Sequence, residues 1–249
     1  MNPVPHKCGF QRLTTTLLAC GVACGPLFYA VVAVQVFTRT GFDIRKHPLS
    51  LLSLGDAGWI QVTNFIVAGL LAIGCAVGLR ISLQRSRGSI WGPLLIGTSG
   101  LGMIIAGIFP PPAVLGFPPG TPEGLPQTIS QSGQLHGVGF LLAFGSLIAD
   151  MFIFGRRFYS IGSRWMGFYS VATAVITPSL VLPGFILQKP ASLSFAFAGI
   201  LAFGWVSALA AHQIVDRKRE GSGTTNPRAV SRVKLSVKVS VQGVKSGEK

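Results

Sequence analysis

The sequence has few cysteines and none of the short motifs that identify the best-known classes of enzyme. A Walker loop, a GxSxG elbow, an HExxH motif and a dinucleotide-binding glycine fingerprint are all absent from it. Its four cysteines form no CxxC pair and no Cys/His cluster with the spacing of metal ligands. The sequence therefore predicts no metal and no cofactor.

Acidic residues are scarce as well, because the chain has 7 Asp and Glu against 21 Lys and Arg. Hydrophobic residues make up 49% of it and are concentrated in six stretches of 20 to 25 residues. These stretches are Leu13–Phe37, Trp59–Leu79, Ile90–Phe109, Leu135–Gly155, Trp165–Leu187 and Ala191–Ile214. Each can cross a hydrocarbon core of about 30 Å as a helix, which satisfies its own backbone hydrogen bonds. We therefore predict an all-α membrane protein with six transmembrane helices in one bundle.

The positive charges lie mostly on one of the two sides that these spans define. The N-terminus, the second and fourth loops and the segment after Ile214 hold 17 of the 21 Lys and Arg. Because Lys and Arg collect on the cytoplasmic side, both termini are predicted to be cytoplasmic, in a protein of the plasma membrane. This topology explains most of the formal charge of +14, so no nucleic-acid partner is predicted.

The chain divides into three parts on this pattern. Residues 1–12 form a cytoplasmic N-terminus, residues 13–214 form the transmembrane domain, and residues 215–249 form a basic tail predicted to be largely disordered. Hydrophobic and polar residues alternate in the tail from Val233 to Gln242. Two interpretations stay open: a solvated tail whose lysines contact anionic lipid, or a strand that docks on a partner.

The two long loops on the predicted outer side differ in character. The first contains Pro48–Leu54, a leucine-rich segment that predicts a short helix packed over the outer ends of spans 2 and 4. The third loop, residues 110–133, has seven prolines between Pro110 and Pro126 and predicts an extended lid. Burial of the leucines would bring polar side chains of loop 1 close to His136 at the start of span 4.

Several polar side chains are therefore expected to meet at the outer mouth of the bundle. They are Asp43, Arg45, His47, Ser50, Ser53, Asp56, Gln61, Asn64 and His136. One interpretation is a polar pocket for a lipid head group or a small polar ligand. The other is a solvated loop whose charges pair at the surface and contribute less than about 1 kcal/mol.

The function that this pattern favours is a non-catalytic membrane protein, either a lipid- or small-ligand-binding module or an accessory subunit. An intramembrane lipid hydrolase is the first alternative, because Ser50, Asp56 and either His47 or His136 lie on one side of the membrane. A small transporter is the second alternative. No internal repeat of the kind found in many transporters is evident in the sequence.

Asp150 is the only acid inside a predicted span, and it lies near the predicted cytoplasmic end of span 4. An unpaired charge in lipid costs several kcal/mol, so an intramembrane acid is a functional hypothesis by default. Two interpretations are open for it: an ion pair with Arg80, Arg156 or Arg157, or a proton or ion relay.

Several short runs of residues together resemble the prokaryotic membrane family called domain of unknown function 998. They are His47-Pro48-Leu49-Ser50, Leu54-Gly55, Gly58-Trp59-Ile60-Gln61 and Asn64-Phe65, then Gly107-Ile108-Phe109-Pro110 after span 3, and His136-Gly137 opening span 4. The resemblance covers residues 13–214 and implies a six-helix bacterial membrane protein without an assigned activity. The family often has an acid after the Phe-Pro pair, whereas this chain has Pro111-Pro112.

Overall fold

Long helices account for nearly all of the chain that the computed structural model describes, which is residues 5–83, 88–124, 126, 128–187 and 192–221. They are α1 (Pro5–Thr38), α2 (Gly58–Ser82), α3 (Trp91–Ile108), α4 (Gln131–Ser160), α5 (Arg164–Leu187) and α6 (Ser192–Gly221). A short 3-10 helix, Leu49–Ser53, lies between α1 and α2. The fold of these ranges is all-helical, as predicted.

Each of the six helices is long and apolar enough to cross a membrane, which confirms the prediction of a multi-pass membrane protein. Several helices extend beyond the apolar runs that predict them. α4 continues through Arg156 and Arg157 to Ser160, and α6 continues to Gly221. The rest of the basic tail, including the alternating segment that begins at Val233, lies outside the described residues.

The helices pack in chain order, each against the next, and α6 returns against α1. Glycines allow the closest approaches. A Cβ atom on Gly69 of α2 would lie 2.5 Å from the carbonyl oxygen of Gly100 in α3, and one on Gly102 would lie 2.5 Å from the backbone nitrogen of Ala143 in α4. Small residues let helix backbones meet where lipid gives no hydrophobic driving force for association.

The interior of the bundle is filled by large side chains from several helices. The largest fully buried ones within the helices include Leu18, Ile96, Met151, Phe154, Trp205 and Leu209. Trp205 in α6 donates its indole N–H to the hydroxyl of Ser170 in α5 over 2.9 Å, so its one polar group is satisfied.

The two ends of the bundle differ. One end, called the terminal end here, carries the first residues of α1 and the last residues of α6. The opposite end is covered by residues 39–57 and 109–124, which we call the cap. The cap has its own small hydrophobic cluster, formed by Leu51, Val114, Leu115 and Phe117.

The 3-10 helix confirms the short helix predicted in loop 1, with Leu51 and Leu52 buried. The described part of the third loop is more compact than the extended lid expected from its prolines. Val114 and Phe117 pair across a tight turn, and the Phe117 N–H donates to the Val114 carbonyl over 3.0 Å. Burial of these apolar side chains against loop 1 outweighs the preference of proline-rich sequence for an extended chain.

Candidate functional site

His47 joins the two halves of the cap. It is only 3% exposed, and its ring packs against the rings of Phe42 and Phe117, with its centroid 5.4 Å from each of theirs. Its Nδ1 accepts a hydrogen bond from the Asp43 backbone N–H over 2.9 Å, so the ring proton is on Nε2, which donates to the Leu115 carbonyl over 3.0 Å. Both ring nitrogens are therefore engaged by the backbone.

Arg39, just after α1, holds the 3-10 helix in place. Its guanidinium donates to the carbonyl of Leu52 over 3.3 Å and to the carbonyl of Leu54, and it lies 5.7 Å from the centre of the Phe117 ring. Burial lowers the pKa of Arg39 and the charge of nearby Asp56 raises it, while the guanidinium stays charged. Asp56 lies near enough to favour the charged form of Arg39, but the two form no ion pair in the described structure.

Asp43 and Arg45, two of the charged side chains predicted at the mouth, form an ion pair at the protein surface, and Lys46 of the same loop forms another. Asp43 pairs with Arg45 over 3.1 Å, and this hydrogen bond lowers the pKa of the Asp43 carboxyl. Lys46 pairs with Glu123 of the third loop, which lowers the pKa of the Glu123 carboxyl. Exposed pairs of this kind contribute little to stability.

Gln61 and Asn64 of α2 lie in a buried polar cluster with Gln35 of α1. Gln35 Nε2 donates to Gln61 Oε1 over 2.7 Å, and Asn64 Nδ2 donates to the same oxygen over 3.2 Å and to the Phe28 carbonyl over 3.0 Å. Gln35 Oε1 and Gln61 Nε2 have no partner in the described chain, nor does the buried hydroxyl of Ser53. The contacts made here tie α1 to α2.

A cavity of about 100 Å³ lies beneath the cap, within the bundle. Five helices and the start of the 3-10 helix contribute to its walls. The lining residues are Phe28, Tyr29, Pro48, Leu49, Ser50, Phe65, Met103, Ala106, His136, Phe140, Ala143, Phe144, Phe195, Ala196 and Phe203. An apolar cavity of about 150 Å³ holds a molecule the size of benzene, so this space suits a short length of hydrocarbon.

His136 supplies the main polar group on the cavity wall that can still form a hydrogen bond with a ligand. Its Nδ1 lies 2.9 Å from the carbonyl oxygen of Phe109 and 3.0 Å from that of Ala106. Carbonyl oxygens only accept hydrogen bonds, so Nδ1 carries the proton, and Nε2 of the neutral ring is an acceptor. No hydrogen bond to Nε2 is formed by the described residues, so this nitrogen is available to a ligand.

The other polar side chains on the cavity wall are Ser50 and Tyr29. The Tyr29 hydroxyl of α1 already donates to the Ala196 carbonyl of α6 over 3.2 Å. A Cβ on Gly199 would lie 2.1 Å from the Tyr29 hydroxyl oxygen, so this contact requires glycine there. Ser50 comes from the cap, and it is the loop 1 polar residue that shares the cavity with His136.

The nine side chains predicted at the mouth therefore do not converge on one polar pocket in the described structure. Ser50 and His136 meet at a mainly apolar cavity, whereas His47 supports the cap, Asp56 lies near Arg39, and Asp43 and Arg45 lie at the surface. The aromatic lining was not predicted, since spans that are apolar on all sides give no signal for which face lines a cavity.

Asp150 lies far from this cavity along α4. It is fourteen residues after His136, which is about 21 Å at 1.5 Å per residue. Its side chain is 0% exposed, and no described residue hydrogen-bonds to either carboxylate oxygen. Asp150 forms no ion pair with Arg80, Arg156 or Arg157 in the described structure. One of its carboxylate oxygens lies 3.4 Å from the position that a Cβ on Gly92 of α3 would take.

Among the described residues, no three or more His, Cys, Asp or Glu side chains lie close enough together to hold a metal ion. Cys20, Cys24 and Cys75 are free thiols inside the bundle. Cys24 donates its S–H to the Ala68 carbonyl over 3.3 Å, which links α1 to α2.

Comparison with known proteins gives the family but no activity. No curated protein and no solved structure matches the chain. A family model does match it, over residues 22–212, a range that includes the cap, the cavity and Asp150. In this chain, six helices are long and apolar enough to cross a membrane. The chain therefore belongs to the family of proteins of unknown function DUF998.

Proposed function

We propose that this protein is a non-catalytic binding or accessory protein that holds an amphiphilic lipid in the cavity beneath the cap. The observation that carries the proposal is an aromatic cavity with a hydrogen-bond acceptor, Nε2 of His136, on its wall. A short length of the ligand's hydrocarbon chain, next to its polar end, would occupy the aromatic space. A hydroxyl or amide N–H of its polar end would donate to His136.

Two properties of the site support a lipid over a small polar ligand. The walls are mostly phenylalanine and aliphatic side chains, which favour apolar groups by about 25 cal/mol per Å² buried. The polar groups of the site are few and fixed in orientation, as in ligand pockets that are apolar with a small number of placed hydrogen-bonding groups.

The charge pattern supports an orientation for the site. Lys and Arg are concentrated in the terminal-end segments, so the proposed topology puts both termini in the cytoplasm and the cap outside, in a bacterial plasma membrane. The cavity would then lie in the outer leaflet. The basic residues after 221 would contact anionic lipid on the inner side.

The test is equilibrium binding of tritiated 1-oleoylglycerol to the full chain in nanodiscs, with unlabelled 1-oleoylglycerol and its dimethyl ether as competitors. The ether has the same chain without hydroxyl donors, so it should compete roughly five- to tenfold less well, the effect of one hydrogen bond. His136→Phe should bind the two compounds equally. Equal competition by both in the wild-type protein contradicts the role of His136.

Cavity-filling variants test the location of the site. Ala143→Trp and Ser50→Phe place a large ring in the cavity from α4 and from the cap, and both should abolish binding. Val138→Trp is the matched control, because Val138 lies on α4 but is 48% exposed on the bundle surface. Unchanged binding by the folded cavity variants overturns the proposal.

A hydrolase is the second candidate, favoured by one observation: Ser50 and His136 line the same cavity. In an ester hydrolase, the Ser50 oxygen would attack the ester carbonyl while Nε2 of His136 takes the hydroxyl proton. The alcohol would leave with that proton, and water would then hydrolyse the acyl-serine. Labelling of Ser50 by a fluorophosphonate, lost in Ser50→Ala and His136→Phe but kept in Ser53→Ala, would select this function over simple binding.

A further inference from the structure

A second apolar depression lies on the outside of the bundle, between α2 and α3. It has a volume of about 570 Å³ and is lined by two helical stripes, one from Ile73 to Ile81 and the other from Ile90 to Leu101. It lies in the half of the bundle nearer the terminal end, well away from the cavity beneath the cap. We call it the α2–α3 groove.

The groove begins where the two helices separate from close contact. α2 and α3 meet backbone to backbone at Gly69 and Gly100, beside the end of the groove that lies farther from the terminal end. A Cβ on Gly97 would lie 3.7 Å from the Cβ of Ala76, an ordinary van der Waals contact. Small side chains on the floor and larger ones such as Val77 and Leu94 on the sides give the groove its depth.

Arg80 lies on the groove wall near its terminal end. It is exposed, and no carboxylate of the described residues lies within ion-pair distance of it. The other groove residues are uncharged, and the Thr98 hydroxyl is already bonded to the Leu94 carbonyl over 2.9 Å. The groove therefore combines an apolar channel with one cation, Arg80, that has no anionic partner in the described part of the chain.

We propose that the α2–α3 groove binds an anionic membrane lipid, with one acyl chain along the channel and the phosphate at Arg80. The charge of Arg80 complements a phosphate, and the groove lies within two membrane-spanning helices, where lipid is the surrounding solvent. An acyl chain that lies between two helices makes van der Waals contacts on more sides than an acyl chain on a smooth helix surface. This site is separate from the cavity and does not depend on the function proposed for it.

The test is native mass spectrometry of the full chain released from nanodiscs that contain equal amounts of phosphatidylglycerol and phosphatidylcholine. The wild-type protein should retain phosphatidylglycerol in preference. Arg80→Gln should reduce that preference about fivefold, the effect of one cation near an anionic head group. Arg164→Gln is the matched control, because Arg164 is exposed at the same end of the bundle, at the start of α5.

Filling the channel gives an independent readout. Gly97→Leu should reduce retention of both lipids, whereas Gly145→Leu should not, since a Cβ on Gly145 would meet nothing within 4 Å. An unchanged phosphatidylglycerol preference in Arg80→Gln overturns the proposal. So does a Gly97→Leu protein that keeps its lipids but changes oligomeric state, because a second copy of the chain would then occupy the groove.

Discussion

His136 near the start of α4 donates its Nδ1–H to the carbonyl oxygen of Phe109, the residue that follows α3, over 2.9 Å. The same nitrogen lies 3.0 Å from the carbonyl of Ala106, one turn earlier. The last carbonyls of a helix have no partner within that helix, so the imidazole satisfies groups that water cannot reach in a membrane. The imidazole of His136 thus caps the end of α3 through Nδ1, and its Nε2 remains available to a ligand in the cavity.

This double contact predicts a measurable cost of removing the donor. His136→Phe keeps an aromatic ring against Phe65 but leaves both carbonyls without a partner, so the free energy of unfolding should fall by about 1–3 kcal/mol. Thermal unfolding in detergent measures the change. Val138→Ala, on the exposed side of α4, should shift the free energy of unfolding by less than about 0.5 kcal/mol. Equal stability of the His136 and Val138 variants would contradict the structural role of the imidazole.

His47 makes a second prediction, about the order of the cap. His47→Phe retains an aromatic ring in contact with Phe42 and Phe117 but loses the hydrogen bonds to Asp43 and Leu115. The turn that begins at Val114 should then open more often, because its link to loop 1 is lost. Hydrogen–deuterium exchange at the Gly116 and Phe117 amides should increase, while amides in the middle of α2 should keep the wild-type rate. Unchanged exchange in the turn would show that apolar packing alone holds the cap.

The Lys46–Glu123 pair predicts a dependence of stability on pH. Lys46 lowers the pKa of the Glu123 carboxyl from its ordinary value of 4.5. A depressed pKa stabilises the folded state above the unfolded-state value, and this stabilisation is lost as the pH falls through the folded-state value. The melting temperature of Glu123→Gln should be slightly below wild type at pH 7, and the two should converge below pH 4.5. A difference that stays constant down to pH 3 would rule out the ion pair as its source.

Removing the charge of Asp150 is expected not to lower the stability of the protein. Because its carboxyl has no partner in the described structure, Asp150→Asn should leave the melting temperature unchanged or raise it. Asp216→Asn is the comparison variant, because Asp216 lies 3.0 Å from Nδ1 of His212 and the two form an ion pair when the imidazole carries a second proton. Loss of that pair should lower the melting temperature slightly. Suppose instead that Asp150→Asn lowers the melting temperature strongly while Asp216→Asn lowers it only slightly. The charge of Asp150 would then be compensated by a group outside the described residues.

The proposed orientation is tested by reporter fusions. Fusions after Ser160 and at the C-terminus should report a cytoplasmic location, and a fusion at Gly120 in the cap should report an external one. The reason is the concentration of Lys and Arg at the terminal end. A cytoplasmic signal from Gly120 would reverse the bundle and move the cavity to the inner leaflet.

The sequence predicts the six helices well because membrane spans are defined by length and hydropathy, which are local properties. Their ends were less predictable, since α4 continues as a helix through Arg156 and Arg157, where the apolar run has already stopped. The 3-10 helix was also predictable, because Pro48 and a run of leucines mark it.

The site was only partly predictable because most of its contacts join distant parts of the chain. The sequence singled out His136 and Ser50, which do share a cavity. It could not show that His47 bonds the carbonyl of Leu115, 68 residues away, which makes His47 part of the cap instead of the cavity. The sequence does not show which backbone carbonyls accept hydrogen bonds from side chains. It also does not show which phenylalanines face the interior of the bundle.

The most direct test of the proposed lipid site is photocrosslinking with a long-chain alcohol that carries a diazirine in its chain, followed by peptide mapping. The protein in nanodiscs should be labelled on cavity residues such as Phe140 and Phe195, and excess 1-oleoylglycerol should suppress that labelling. Ala143→Trp should remove it as well. Labelling confined to exposed residues such as Val138 and Leu141, with no effect of the competitor, would contradict a lipid-binding cavity beneath the cap.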